Sequence, residues 1–388
     1  MNGLRLAALV SALVLVISGC TDDKAAPPPP KPVVWTKVEL PAEPVVLTGH
    51  GDQLLIGLRD RGAKVVPRLL LQQADGSRQE IRVAAKSPYA FEAVWHSIAY
   101  DGERLLALGG AAGGAHSNIR WTVWSGSAKR LTEYPQEFDT FGGQAAGPLY
   151  SAIITPAGEA LAGAWGSAQT GLDGAVWLPV SSTKWVRQSS AKTPLESVPS
   201  LLLSPGYGVA VGNGILLTGS QTRLAPNVVK EEAVMWRSTS INQGWSRIEL
   251  PELGERSQGN SLSCTTPASC TIAGFADGKL ALWQLDGNQG KRLHNVPPIA
   301  VGDNAKLPPP VDDGGHLYQV VAEGNKVKVV SGHGDSWTVQ ESIGQESAGQ
   351  ESSGPAGVVT DATLVGKTLY LIAGPAGQPA SLWKTTLS

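Results

Sequence analysis

An apolar run that closes on glycine recurs along this chain at nearly constant spacing. It reads Leu55-Ile56-Gly57, Ala107-Leu108-Gly109, Leu161-Ala162-Gly163, Leu217-Thr218-Gly219, Ile272-Ala273-Gly274 and Ile372-Ala373-Gly374, with a weaker copy at Ala322-Glu323-Gly324. Successive glycines lie 52, 54, 56, 55, 50 and 50 residues apart. A period of this size belongs to solenoids, propellers and arrays of small units. Between the glycines the chain is rich in β-formers and turn residues, and 3.6-residue periodicity is nearly absent. With about four strands per repeat, the expected fold is all-β: a propeller of four-stranded antiparallel blades, seven by the count of glycine marks. A pair of β-sandwiches would not explain the even spacing.

The hairpin inside each repeat is clearest at residues 231–250. Ala233 to Ser238 reads as an apolar strand, Ser240, Asn242 and Gly244 as a turn, and Trp245 to Leu250 as a returning strand with period-two alternation. The chain ends complete the pattern. Val33 to Leu40 reads as a spare outermost strand, and Ala380 to Thr385 as a third strand lacking its fourth. Pairing the two would close the ring and remove two exposed edges. The domain is therefore expected to cover residues 33–388, beyond the usual single-core size but acceptable for a closed ring. Trp124, Trp177, Trp236, Trp283 and Trp383 fall on third strands, and Trp35, Trp185, Trp245 and Trp337 on fourth strands. That regularity points to packing between blades.

Residues 1–19 read as a signal peptide. Arg5 supplies the positive start, and the apolar run from Leu6 to Ile17 is too short to span a bilayer. Ile17-Ser18-Gly19-Cys20 resembles the lipobox of bacterial lipoproteins. The resemblance implies cleavage before Cys20, lipidation of its sulfur with palmitate-type chains, and an extracytoplasmic protein held on the outer face of a membrane. Several acyl chains on one residue hold more firmly than one. Thr21 stands where inner-membrane lipoproteins carry aspartate, which favours the outer membrane in a cell that has one. Thr21 to Pro32 then forms a proline-rich tether. At ~3.1 Å per residue in polyproline II it would reach ~35 Å.

The formal net charge is −2 and the pI about 6.3. With no basic patch, nucleic acid is not an expected partner. Cys264 and Cys270 flank the turn from Thr265 to Ser269. An exported location permits a disulfide there, and a hairpin turn can bring the two within range. So short a loop would contribute ~2 kcal/mol. A redox or metal site would want CxxC spacing or a nearby histidine pair.

In antiparallel blades the loops sort by face, and the long ones share one face. They carry Arg59 and Arg61; His116, Asn118 and Arg120; Tyr134, Glu137, Asp139 and Phe141; and Arg223 and Glu232. Long loops on a rigid scaffold carry binding groups, so these are the candidate ligand-binding residues. Tyr134, Phe138 and Phe141 are the candidate exposed stacking aromatics. Gly49-His50-Gly51-Asp52 and Gly332-His333-Gly334-Asp335 read as tight turns. No metal or cofactor is expected. Ser238-x-Ser240-x-Asn242-x-x-Trp245 resembles, in spacing, the Asp-box of sialidase-like propellers, with Ser240 and Asn242 replacing the expected aspartate and glycine. That box is structural, and no arginine triad accompanies it. GxSxG and HExxH motifs are absent, so no catalytic residue is assigned.

The reading is a non-catalytic binding or scaffold module for an envelope protein or a glycan. The alternative is a glycan-active hydrolase or lyase with its site at the central mouth. A hydrolase would need two carboxylates ~5–9.5 Å apart, for which Glu137, Asp139 and Glu232 are the suppliers.

Overall fold

Six of the seven apolar runs that carry the repeated glycine are second strands, buried on both faces, whereas the weaker copy's Gly324 sits in the turn after its second strand at φ of 61°. In Gln53–Arg61 the residues Leu54, Leu55, Ile56 and Leu58 are all almost fully buried. A strand covered on both sides has no polar face, so it reads as a continuous apolar run. In this computed structural model the described residues are 30–62, 64–113, 118–181, 183–303, 305–345 and 353–387. Lys31–Ser388 forms one compact unit.

The strands make six sheets. The first contains Glu43–His50, Gln53–Arg61, Val65–Gln72 and Arg78–Glu80. The second contains Val94–Tyr100, Leu105–Ala112, Ile119–Ser127 and Arg130–Glu133, with Arg82–Ala84 added in parallel at its edge. This fifth strand departs from the four expected. It follows Ile81, which is buried in the core between the first two sheets and draws the connection inward. The third sheet is Ala146–Thr155, Gly158–Gly166, Leu172–Ser181 and Lys184–Arg187. The fourth is Leu201–Val211, Gly214–Ala225, Val228–Arg237 and Ser246–Glu249, the last two being the hairpin read from residues 231–250. The fifth is Ser257–Cys264, Ser269–Ala276, Lys279–Asp286 and Gln289–Arg292. Apart from that added edge strand, all five are antiparallel meanders of sequential strands.

The sixth sheet has eight strands. One half is Val311–Asp312, Leu317–Glu323, Lys326–His333 and Ser336–Gly344; the other is Val358–Val365, Thr368–Gly374 and Ser381–Thr386. Val33–Val38 joins them. Thr36, Lys37 and Val38 pair antiparallel with Lys384, Trp383 and Leu382, as expected from the two chain ends. Val33, Val34 and Trp35 also pair in parallel with Ser342, Ile343 and Gly344, which was not expected. Trp35 is fully buried at this junction and its indole N–H donates to Ser342 Oγ at 3.0 Å.

Second and third strands pair without a register break in every sheet. Trp124, Trp177, Trp236, Trp283 and Trp383 stand on third strands and are 8% exposed or less. Both Gly-His-Gly-Asp copies are turns, with Gly51 and Gly334 at φ of 58° and 57°, a left-handed conformation that suits glycine. The Cys264–Cys270 disulfide is formed and joins directly paired residues beside the turn.

Candidate functional site: the central cavity

First strands behave differently. In six of the seven, at or beside the repeated glycine of the second strand, the register slips and leaves extra residues. Val45 is extra between Pro44 and Val46, His96 between Trp95 and Ser97, and Tyr150 between Leu149 and Ser151. Gly206 and Tyr207 are extra between Pro205 and Gly208, Asn260 between Gly259 and Ser261, and Thr360 between Val359 and Asp361. These are β-bulges, which bend a strand and re-aim a side chain. They also explain the glycine. A Cβ on Gly163 would stand 2.5 Å from Pro148 O, and one on Gly219 or Gly274 would strike Ser204 O or Gln258 O. The bulged backbone fills the space a side chain would need.

Residues beside the bulges stitch neighbouring first strands together. Ser97 Oγ accepts from Ala152 N at 3.0 Å, and Ser151 Oγ accepts from Gly208 N at 2.8 Å. Ser261 Oγ donates to Pro308 O at 2.9 Å. Asp361 Oδ2 accepts from Leu47 N at 2.7 Å, while Thr48 Oγ1 donates to Ile98 O at 2.7 Å. The sixth sheet's opening strand is only two residues long. It follows Pro308-Pro309-Pro310, which lack the N–H groups a ladder needs. The segment before it, including Lys306, lines the centre instead.

The bulge side chains Val45, His96, Tyr150, Tyr207, Asn260 and Thr360 all line one cavity of about 860 Å³, together with Lys306 and Asp361. Glu43, Arg59 and Arg61 stand at its rim, on the face of the long connections. Glu43 accepts from Arg59 at 2.8 and 3.0 Å and from Arg61 at 2.6 Å. Burial works to raise its pKa, but these bonds and one from Ala380 N hold it below the usual carboxylate range.

His96 and Asp361 are hemmed in by surrounding protein, yet each keeps surface facing the cavity. Burial, aided by the nearby Lys306 charge, pushes His96 down to about 4, so its imidazole is neutral at pH 7. Trp121 stacks edge-on against that ring, with centroids 4.8 Å apart. Burial pushes Asp361 up to about 7, against the pull of the Leu47 and Ala362 N–H groups and of Lys306. Burial also raises Tyr150 and Tyr207, the latter helped by Asp361, so both keep their phenolic protons. Asn260 Oδ1 is buried without a hydrogen-bond partner among the described residues. The cavity thus offers neutral donors and acceptors, the Lys306 ammonium, the two arginines paired with Glu43 at the rim, and an acid near its midpoint at neutral pH.

Of the residues expected from the sequence, Arg59 and Arg61 reach this cavity. The other described candidates do not line it. Arg120 lies over the exposed Phe138 ring at 4.7 Å. Asn118 is exposed and its backbone carbonyl accepts from Gly113 N. Tyr134 is half-buried under Lys86, 5.2 Å from the ring centre. Glu137 and Asp139 are exposed at the start of the one-turn helix Phe138–Phe141. Phe141 corrects the expectation of an exposed stacking aromatic: it is buried and packs on Trp177. Glu232, a candidate binding residue and carboxylate supplier, is ion-paired. Arg223 and Lys230 each approach it to 3.2 Å, and with Gln221 they hold its pKa down against burial. His116 and Cys20 lie outside the described residues.

His96, Tyr150, Tyr207, Asn260, Lys306 and Asp361 were not singled out from the sequence. A signal existed for most of them. Each bulge residue lies twelve to fourteen positions before its repeated glycine, as Tyr150 lies thirteen before Gly163.

No known family model matches the chain, and no curated protein matches it. Solved structures do. The β-propeller domain of Myceliophteria thermophila Cps50 (Swd1) aligns at TM-score 0.54 and 11% identity, covering 92% of this chain and 100% of that one. The polysaccharide lyase Uly1 aligns at 0.50 and 10%, covering 94% of each. A puromycin-hydrolyzing peptidase of Mycobacterium tuberculosis aligns at 0.50 and 11%, covering 92% of this chain and 55% of that one. The fold is a β-propeller. None of these three is a sialidase, so the Asp-box resemblance extends no further than one turn. There Trp245 Nε1 lies 3.4 Å from Asn242 Oδ1, a local contact that any such hairpin can use.

Proposed function

We propose that this chain is an exported, lipid-anchored binding module that takes its ligand in the central cavity. The observation that carries the reading is the set of bulges. Six first strands each break register to turn a side chain into one shared cavity. Bulges cost ladder hydrogen bonds, so their repetition around a single cavity favours a binding role. We read the eight-stranded sheet as two blades meeting at the three-residue parallel junction, which makes seven blades in all. In that ring Val33–Val38 completes the last blade. Cys20 carries the lipid, and residues 21–32 hold the propeller off the membrane. The partner is a glycan or another envelope protein.

A decisive test is a cross-linked pull-down from the protein's own cells. Tyr150→Trp, which enlarges a side chain on the cavity wall, should weaken capture of the partner, while Arg120→Ala and Arg223→Ala, which lie off it, should retain it. The opposite pattern would move the site to the outer loops. Cys20→Ser should release the protein from membranes; tight association persisting in that variant would remove the anchor. Deleting residues 33–40 should lower the melting temperature sharply, and an unchanged value would refute the ring.

A second reading is a lyase at the same cavity. It is favoured by a neutral imidazole, His96, beside two protonated phenols and a lysine. Such groups can take a proton, return one and neutralise a carboxylate. Two-carboxylate hydrolysis is disfavoured. Among the described lining residues Glu43 and Asp303 are paired with arginines, and Asp361 is held by backbone N–H groups.

A further inference from the structure

The three lining cations, Arg59, Arg61 and Lys306, face three lining carboxylates, Glu43, Asp303 and Asp361, but are unevenly paired with them. Arg59 and Arg61 share the single carboxylate of Glu43. Asp303 is held by Arg256 at 2.6 Å, and Arg256 is itself bonded to Glu231. Lys306 makes no ion pair among the described residues, although it lines the cavity and stands near enough to influence both His96 and Asp361. Asp361 lines the same cavity, but its two oxygens accept from Leu47 N and Ala362 N, and it makes no ion pair with Lys306 among the described residues. Lys306 is exposed to this concave space, and an unpaired ammonium in a concave wall attracts an anion more strongly than one on an open surface. Such a site binds acids through charge-assisted hydrogen bonds.

The remaining wall specifies what the acid is attached to. The Tyr150 and Tyr207 hydroxyls make no hydrogen bond among the described residues, and Asn260 Oδ1 is buried without a partner. His96 presents one donor and one acceptor while neutral. These groups match the hydroxyls of a sugar, and the phenol rings offer flat faces to its C–H groups. The volume of about 860 Å³ lies inside the ordinary range for ligand sites, roughly 300–1,000 Å³.

We infer that the cavity seats the acidic group of a saccharide, a uronate carboxylate or a sugar sulfate, against Lys306. Arg59 and Arg61 draw it in at the rim, and Tyr150, Tyr207, Asn260 and His96 bind the ring hydroxyls. This rests on the cavity being the binding site proposed above.

The test is calorimetric titration of the full chain with three probes of equal length: an oligouronate, a sulfated oligosaccharide and a neutral one. An acidic probe should bind about tenfold or more tightly than the neutral one, and more weakly as salt rises. Lys306→Met should remove that advantage and Lys306→Arg should restore it. The carboxylate and sulfate arms tell which acid is preferred. Equal affinity for acidic and neutral probes would overturn the inference while leaving a sugar-binding cavity intact. Unchanged acidic binding in Lys306→Met would overturn it as well. If no probe binds and the pull-down instead yields a protein held at the cavity, the saccharide inference is wrong and the binding module stands.

Discussion

Within each sheet the first strand and the third strand have opposite characters. Third strands pair in unbroken register, and five of them bury a tryptophan at 8% exposure or less. First strands slip register in six cases, and the slipped residue faces the cavity. The third strands repeat one residue because they meet one demand, filling the wedge between neighbouring sheets. The bulges present six side chains of differing chemistry, from Val45 to Asn260, because the backbone device is shared and the side chain is free. Packing is conserved within the molecule, while binding chemistry is varied upon it.

The comparison can be broken in four ways. The largest effect should come from a third strand. Trp283 is fully buried and its indole N–H donates to Pro251 O. Trp283→Ala should cost about 4 kcal/mol in a urea melt. Next comes the glycine opposite a bulge. Gly274→Ala would drive its methyl into Gln258 O and should cost about 2–3 kcal/mol. Gly109→Ala, whose nearest neighbour is the side-chain Thr122 Oγ1 at 3.3 Å rather than backbone, should cost much less. Equal losses at the two positions would argue against bulge crowding as the reason for the glycine.

The third test uses pH. His96 titrates at about 4 when folded and at an ordinary 6.5 when unfolded, so the unfolded chain takes its proton first and stability falls as pH drops from 6.5 to 4. Asp361 titrates at about 7 when folded against an ordinary 3.8, so the folded chain keeps a proton the unfolded chain releases, and stability falls as pH rises from 3.8 to 7. The two slopes oppose each other between pH 4 and 6.5. His96→Gln should expose the Asp361 slope and Asp361→Asn the His96 slope, each by about 1–2 kcal/mol once cavity water is allowed for. Matching pH profiles in the two variants would refute both assignments. The smallest effect should come from a bulge side chain itself. Asn260→Ser, which trims a partly exposed wall group, should change stability by less than about 0.5 kcal/mol while altering ligand affinity.

Much of the architecture was legible before any coordinates. The glycine spacing, the tryptophan positions and the Cys264–Cys270 pairing each report a local rule, a crowded backbone, a filled wedge or a turn within bridging range. The candidate site was legible only in part. The choice of the long-connection face led to Arg59 and Arg61 because loop length is visible in sequence. It missed His96 and Tyr150, since a bulge residue looks like any other strand residue until the pairing register is known. It overvalued Phe141 and Glu232 because a residue in a long loop can still fold back onto Trp177, or between Arg223 and Lys230.

What the sequence determined by itself was the repeated unit. Strand propensity, turn residues and glycine act over a few neighbours, so they are written in the order of the residues. The tertiary structure alone decided which side chains meet. His96, Tyr150, Tyr207, Asn260, Lys306 and Asp361 come from separate parts of the chain, 96 to 361. They share one cavity because successive sheets turn their first strands toward a common centre, a relation that no local pattern encodes.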